Sequence, residues 1–311
     1  NAGSERGEES EWGYFGNQSR LQTQARRRIQ LTENLQGSWR TFTTDFHFVT
    51  GLGYPHPVEN GLAWHPTLGV PYLPGSSVKG LVRAFCTTWA DWAQDDPRLG
   101  RWFGVGSGEN EDDGAGELVF FDAFPVSRPS LQVDIMTPHM GKWYEAGDAI
   151  RDAWCAEVDD GDKIPGDWHD PTPIPFLVVK QATFLFSVAP RPGCPNAEVT
   201  AALDTLEEAL AWIGAGAKTA AGYGRMDRSQ PVETKLTQEL VDEAEARRAA
   251  ERERELASLS PEERALKEYA DLLEREKEAG RTDRGSSPLT GQARRLMDQA
   301  EDEGWPAEQC Q

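Results

Sequence analysis

The chain has 311 residues, a formal net charge of −20 and 38% hydrophobic residues. That length is sufficient for two domains, or for one domain with insertions and a tail. Because no apolar run approaches the length of a membrane span, we predict a cytoplasmic protein. The four cysteines are far apart in the sequence, which argues against both a zinc knuckle and a disulfide framework.

The acidic charge is unevenly distributed, and its distribution is more informative than its sum. Residues 109–170 contain 16 acidic and four basic residues, whereas residues 1–108 are neutral overall. A polyanionic partner would therefore have to bind local basic faces of the neutral parts. The predicted domains are an N-terminal basic and polar segment at 1–38, a folded domain at 39–232 with an acidic insert at about 105–170, and a charged helical tail at 233–311.

The first strand is predicted at 39–50, where aromatic and polar residues alternate. Asp45 and His47 fall on one predicted face. The opposite, buried face is predicted to contain Phe42, Phe46 and Phe48. The strand leads into Gly51 and Gly53, which permit unusual backbone conformations and the close approach of a ligand.

A helix is predicted to begin at Ser76 or Ser77, since Pro74 and Gly75 interrupt the preceding segment and either serine can cap the first turn. One helix face is apolar, with Val78, Leu81, Val82 and Phe85. The other face carries Ser76, Lys79, Gly80 and Arg83. Two interpretations of this pattern are possible. The helix is an ordinary capped helix whose charges are solvated, or its polar face binds a phosphate backbone. The second is favoured by the free amides at a helix N-terminus, which attract anions.

Further strands are predicted at 118–121, 176–188 and 222–226, and a further helix at 198–213. A projecting excursion is predicted to begin at 133–139. The regular elements then follow the order strand, helix, strand, repeated once. That order is typical of a ferredoxin-like or RRM-like sheet, so we predict an α+β fold.

The segment 214–225 is rich in glycine and contains Lys218, Tyr223 and Arg225. It does not fit a phosphate-hydrolysing P-loop, because alanine precedes Lys218 and because a helix comes before the loop rather than after it. Two interpretations remain open. The loop lets a backbone approach RNA or a neighbouring chain, or it is a plain turn from a helix to a strand.

Asp45 and His47 also permit an enzymatic interpretation, since a carboxylate beside a histidine can cleave RNA by general acid–base catalysis. Their spacing is not diagnostic, and histidines on strands or loops are more often hydrogen-bonded structural residues. His47, His56 and His65 do not match the spacing of a common metal site. We therefore predict no metal and no cofactor.

The tail contains the pattern Ser260-Pro261-Glu262-Glu263, a capping box that predicts the start of a helix at Pro261. An apolar stripe follows at Leu266, Tyr269, Leu272 and Leu273. This stripe must pack against something, either within a solvated helical pair or on a partner.

Several segments, taken in order, resemble motifs of the RAMP proteins of type III CRISPR effectors. They are 48–53 (FVTGLG), 68–80 (LGVPYLPGSSVKG), 134–139 (DIMTPH) with 173–177 (PIPFL), and 213–225 (IGAGAKTAAGYGR). The resemblance covers about 39–227 and is greatest to the family of sixth subunits of type III-B (Cmr) complexes. The chain departs from the family pattern in the acidic stretch 108–113 and in the long tail.

The resemblance implies an RRM-like core with an inserted thumb, in a non-catalytic backbone subunit, because target cleavage is attributed to a different RAMP subunit. The implied partners are CRISPR guide RNA near its 3′ end, target RNA and neighbouring RAMP backbone subunits of the Cmr complex, with no membrane. The residues implied to bind RNA are Gly51, Gly53, Ser76, Ser77, Lys79, Arg83, Lys218, Tyr223 and Arg225. Those implied to lie in the thumb or to contact the next subunit are Asp134, Met136, His139 and Trp143.

Two alternatives remain open at this point. One is a RAMP endoribonuclease that uses Asp45 and His47. The other is a protein-only assembly adaptor, which would lack the salt-sensitive RNA affinity expected of a guide-binding subunit.

Overall fold

The computed structural model describes residues 13–57, 60–104, 114–146, 169–278 and 288–303. The chain divides into two compact units, Asn1–Leu236 and Thr237–Gln311. No helix in the described ranges is long and apolar enough to cross a membrane. Two parts of the predicted acidic insert, 105–113 and 147–168, lie outside the described residues.

The described helices and strands are as follows. The helices are α1 (Gln18–Asn34), α2 (Gly75–Thr88), α3 (Pro97–Phe103), α4 (Gly141–Ala146), α5 (Asn196–Trp212), α6 (Gln230–Ala257), α7 (Pro261–Glu278) and α8 (Pro288–Glu303). The strands are β1 (Ser38–Thr44), β2 (Trp64–His65), β3 (Val70–Pro71), β4 (Leu118–Phe120), β5 (Phe124–Pro125), β6 (Ser130–Met136), β7 (Ile174–Gln181), β8 (Thr183–Pro190) and β9 (Met226–Arg228).

The main sheet of the first unit has the antiparallel order β4-β8-β1-β9, and β5 also pairs with β8. Its elements follow each other along the chain as β1-α2-β4 and then β8-α5-β9. This twofold repeat of strand, helix and strand is the ferredoxin-like arrangement. The predicted α+β fold class is therefore confirmed.

Helices cover both faces of this sheet, and successive side chains of β1 point to opposite sides, each towards a different helix. On one face Phe42 packs edge-to-face on Phe186 with ring centroids 5.4 Å apart. On the same face Arg40 donates hydrogen bonds to Asp204 and Glu207 of α5. On the other face Trp39 Nε1 donates to Glu33 of α1, a helix that buries Leu21, Ala25, Ile29 and Thr32.

The first predicted strand is wrong in its second half. β1 ends at Thr44, and the chain then bends at 45–46, although the Asp45 amide still donates to the Arg225 carbonyl oxygen over 3.0 Å, in register with β9. Phe48 is buried and exchanges two backbone hydrogen bonds with Val179, both of 2.9 Å. Phe46, which the alternation placed in the core, is instead 48% exposed.

The predicted strand at 176–188 is two strands separated at Ala182. The Thr44 amide donates to the Ala182 carbonyl oxygen, and the Ala182 amide donates to Thr44 Oγ1. This junction sends β8 into the main sheet and β7 into an antiparallel ribbon with β6. The last predicted strand is also displaced, because a 3₁₀ turn at Thr219–Ala221 precedes β9.

In the second unit the predicted capping box is confirmed. The Ser260 amide donates to Glu263 Oε2 over 3.0 Å, and the Glu263 amide donates to Ser260 Oγ over 3.2 Å. The apolar stripe of α7 is partly buried, and α7 packs on α8. The predicted need of this stripe for a packing partner is thus met in part, since its residues are half-buried.

Candidate nucleic-acid interface

Three segments singled out in the sequence meet at one open groove on the first unit. The groove has a volume of about 570 Å³ and is bounded by residues 50–54, the start of α2 and residues 213–219. Gly51, Gly53 and Ser77 are the predicted RNA-binding residues that line it. Segments far apart in sequence thus form a single concave surface.

The start of α2 differs from the prediction. Neither serine caps the helix, because Pro74 is the N-cap residue and the Gly75 amide donates to Asp122 Oδ1 over 2.7 Å. A Cβ on Gly75 would lie 2.3 Å from the Phe120 carbonyl oxygen, so two backbones are in direct contact here. Since an internal carboxylate already occupies this end of α2, the expected attraction of a phosphate to free N-terminal amides is weakened.

The two-faced character of α2 is confirmed. Val78, Val82 and Phe85 are buried, while Ser76, Ser77 and Arg83 are exposed and Lys79 is half-buried. A Cβ added at Gly80 would meet no atom within 4 Å. The polar face of α2 is therefore open for an extended anionic ligand along Lys79 and Arg83.

At two positions of the groove the packing of the protein itself requires glycine. Gly51 has φ +70° and a Cβ there would lie 2.4 Å from the Ala63 amide nitrogen. Gly216 has φ +86° and a Cβ there would lie 2.0 Å from the Val49 carbonyl oxygen. Close packing of one backbone on another explains both positions, whereas Gly53 faces open space.

The structure brings Tyr223 together with two residues that the sequence placed elsewhere. The Tyr223 hydroxyl donates to Asp134 Oδ2 over 2.5 Å, and His47 Nδ1 lies 3.4 Å from the same oxygen. The exposed Phe46 ring stacks on the His47 ring at a centroid separation of 4.2 Å. We call Phe46, His47, Asp134 and Tyr223 the ribbon-base cluster, since Asp134 belongs to the β6–β7 ribbon.

The charges of the ribbon-base cluster follow from these contacts. Burial alone would raise the pKa of Asp134, but hydrogen bonds from Tyr223, the Ile135 amide and His47 outweigh it, so the pKa of this carboxyl is lowered. Burial, together with the neighbouring Asp134 carboxylate, raises the pKa of the Tyr223 phenol to about 12. The pair is thus an ionised carboxylate with a neutral phenol at neutral pH.

The remaining predicted residues are dispersed. Lys218, with φ +58°, places its Nζ 5.2 Å from the centroid of the Phe176 ring in β7. Arg225 and His139 are exposed. Met136 packs beside Phe176, and the Trp143 ring contacts the Tyr144 ring in α4. Asp45 is exposed, and the contact of His47 is with Asp134.

Sequence reasoning missed Asp122 and Arg28. Arg28 donates to the Asp122 carbonyl oxygen over 3.1 Å and lies over the Phe121 ring at 4.7 Å. Its burial lowers the pKa of the guanidinium. These contacts join residues about a hundred positions apart, so no local pattern could have indicated them. Within the described ranges no group of three or more metal-ligating side chains is present.

Comparisons with known proteins agree with the motifs. The sequence model of the RAMP superfamily matches residues 41–227. The chain is 30% identical over 245 residues to the CRISPR system Cmr subunit Cmr6 of Pyrococcus furiosus. That alignment covers 60% of this chain and 66% of the relative, slightly less than two thirds of its length.

Solved structures of Cmr proteins are also similar. One is a chain of the type III-B Cmr-beta complex bound to cognate target RNA, with 17% identity, a TM-score of 0.49 and coverage of 69% of this chain and 66% of that chain. Another is the crystal structure of Cmr6 from Pyrococcus furiosus, with 28% identity, a TM-score of 0.36 and coverage of 62% and 98%. Because the family model spans more than half of the chain, including α2, α5 and the whole groove, the protein belongs to the RAMP superfamily.

Proposed function

We propose that this protein is a non-catalytic backbone subunit of a type III-B CRISPR effector complex. In this role it binds guide RNA near its 3′ end, contacts neighbouring RAMP subunits and helps to position target RNA for antiviral defence. The observation that carries the proposal is the groove in which residues 50–54, α2 and residues 213–219 meet. The 30% identity to a Cmr6 protein supports it independently.

The lining of the groove suits a ribose-phosphate backbone. Glycine, serine and threonine present backbone and hydroxyl groups beside apolar residues such as Leu52, Leu81 and Ile213. Lys79 and Arg83 lie on the polar face of the same helix, α2, outside the lining itself. Contacts of this kind fix the register of a strand and read its shape, with little dependence on base identity. A subunit that accepts many different guides needs that property.

The ribbon-base cluster supports a structural role for His47. Its ring is half-buried and lies against Asp134, whose Oδ2 also accepts the Tyr223 hydroxyl. Asp45, the proposed catalytic partner, is exposed on a bend. An acid–base pair for RNA cleavage needs both groups at the scissile phosphate, and here the histidine is engaged by a structural contact.

Purification of the intact complex, with sequencing of the RNA that copurifies, tests the proposal. The expected result is a repeat-derived guide that crosslinks to residues 50–54 or to α2. Crosslinks confined to other subunits, or a complex that assembles around this chain without RNA, would instead identify a protein-only adaptor. RNA cutting that disappears in Asp45→Ala and His47→Ala, with assembly intact, would identify an endoribonuclease.

A further inference from the structure

We infer that α1 and the turn between β2 and β3 form a second binding site for a ribose-phosphate backbone, centred on Arg20 and Arg27. The inference goes beyond the groove described above, and it rests on the proposed function only in taking RNA as the ligand of the protein. The two surfaces share no lining residue.

The second site is an open, polar groove of about 630 Å³. One wall is α1, with Ser19, Arg20, Thr23, Gln24 and Arg27, and the other wall is the turn at 66–68. Arg20, Thr23, Gln24 and Arg27 are related by offsets of three, four and seven, so they share one helix face. We call this surface the α1 groove.

The sequence of α1 concentrates positive charge in a strongly acidic protein. The helix contains four arginines and one acid, Glu33, which lies in its last turn. Arg28 is directed inwards, onto Asp122 and the Phe121 ring. Arg20 and Arg27 are exposed, and across the described residues neither guanidinium has an acidic partner. These two side chains are therefore available to an external anion.

The spacing fits a nucleic-acid strand. Seven residues of α-helix rise about 10.5 Å, which separates the two guanidinium groups along the axis. At about 3.4 Å per nucleotide, a stacked strand passes about three nucleotides over that distance. Each guanidinium can donate two parallel hydrogen bonds to one phosphate. Thr23 and Gln24 lie between the arginines and supply neutral donors to the sugar or the intervening phosphate.

The composition of the groove favours RNA over a protein segment. A stable protein interface requires an apolar core, usually with aromatic residues. The α1 groove has no aromatic residue in its lining, and its two apolar residues, Pro66 and Leu68, stand beside Thr67 and five polar or charged side chains of α1. The first turn of α1 contains no acidic residue, and the positive end of the helix dipole lies near Arg20. Both features add to the attraction for phosphate.

Salt dependence of RNA binding by the full chain tests the inference. The probe is a fluorescent oligouridylate, and the variant is Arg20→Ala with Arg27→Ala. The slope of log affinity against log salt should decrease by about 1.4, since each contact to single-stranded nucleic acid contributes about 0.7. Arg247→Ala with Arg248→Ala is the matched control, because it removes the same charge from an exposed face of α6 in the second unit. An unchanged slope in the α1 variant, or an equal loss in the control, would overturn the inference.

Thr23→Glu provides a second variant that needs no loss of an arginine. It places a carboxylate between the two guanidinium groups and should weaken oligouridylate binding at least as much as the double alanine variant. Circular dichroism of each variant checks that α1 remains folded. Binding that is unaffected by Thr23→Glu would contradict the α1 groove as a phosphate site. Polyglutamate that displaces the RNA from this groove at equal charge concentration would assign it to an acidic protein segment and overturn the inference.

Photocrosslinking separates this inference from the proposed function. A photoreactive residue is placed at Gln24 for the α1 groove and, in a second protein, at Ser77 for the first groove. Crosslinks to RNA from both positions support both assignments. Crosslinks from position 77 alone overturn the α1 groove and leave the proposed function standing. Crosslinks from position 24 alone support the α1 groove and overturn the first groove as the RNA site of the proposed function. The absence of crosslinks from both positions overturns both assignments.

Discussion

Tyr223 and Asp134 connect the glycine-rich segment to the β6–β7 ribbon through a hydrogen bond of 2.5 Å. The first residue belongs to segment 214–225 and the second to β6. A single contact thus joins the glycine-rich segment to the β6–β7 ribbon at the position where Asp134 pairs with Phe176. His47 Nδ1 lies 3.4 Å from the same carboxylate, so the segment that follows β1 also contacts this pair.

Tyr223→Phe should lower the free energy of unfolding of the first unit by about 1 kcal/mol, because it removes a donor to a charged acceptor that is partly exposed. Urea denaturation measures the change. Tyr144→Phe is the matched control, since that side chain is 69% exposed. Equal stability of the two variants would show that the hydrogen bond contributes nothing measurable.

The same pair predicts a pH dependence. The pKa of Asp134 is lowered on folding, so its contribution is complete above the ordinary carboxyl pKa and is lost as the pH falls through the lowered value. The pKa of Tyr223 is raised to about 12, so that contribution is complete below the ordinary phenol pKa and is lost as the pH rises through about 12. The difference in stability between the parent protein and Tyr223→Phe should be constant near neutral pH and shrink below about pH 4. A difference that grows on acidification would contradict the assignment.

Lys79→Ala with Arg83→Ala should weaken RNA binding without unfolding the protein, because neither side chain belongs to the buried stripe of α2. If each contacts one phosphate, the slope of log affinity against log salt should fall by about 1.4 for a single-stranded probe. Arg294→Ala with Arg295→Ala, an exposed pair on α8, controls for the loss of two positive charges. Unchanged affinity in the α2 variant would show that RNA does not use this face.

Gly216→Ala and Gly80→Ala should have opposite effects on stability. At Gly216 a Cβ would lie 2.0 Å from a backbone oxygen at a φ of +86°, so the variant should be destabilised, by about 2 kcal/mol or more. At Gly80 the space is open and the backbone is helical, so alanine should stabilise α2 by about 1 kcal/mol. Thermal unfolding distinguishes the two signs.

Gly80→Ala also tests the groove. If a phosphate backbone approaches α2 at Gly80, the added methyl group should reduce RNA affinity while it increases stability. A more stable protein with unchanged affinity would place the RNA away from this part of the helix.

Local patterns predicted the parts of the fold that depend on neighbours in sequence. The apolar stripe of α2 and the capping box at Ser260 were both correct, since each depends on residues within one or two helical turns. The alternation after Thr44 predicted a longer strand and failed, because the pairing of β1 with β8 ends there and Phe48 pairs instead with Val179 of β7. A period of two in the sequence does not reveal such a distant contact.

In the candidate site, too, local features could be predicted from the sequence and distant contacts could not. The motifs indicated the glycine segments and the polar face of α2, and the fold brings them to one groove. The partner of Tyr223 is 89 residues away and the cap of α2 comes from Asp122, which is 47 residues from Gly75. Both are tertiary contacts between residues far apart in sequence, and a local periodicity carries no signal for such a pairing.

Asp122 offers the last test, because its two roles at α2 can be separated. Asp122→Ala removes the acceptor of the Gly75 amide and should cost about 1 kcal/mol of stability, as for other lost helix caps. Asp122→Asn keeps an oxygen acceptor and removes the charge, so its stability should remain close to that of the parent protein. The carboxylate lies at the end of α2 that borders the groove, where it would repel a bound phosphate. Asp122→Asn should therefore bind oligouridylate more tightly, by about twofold, as expected for the loss of one solvent-screened charge. Weaker binding by a fully stable Asp122→Asn protein would mean that the carboxylate orients α2 for RNA in a way that an amide does not reproduce.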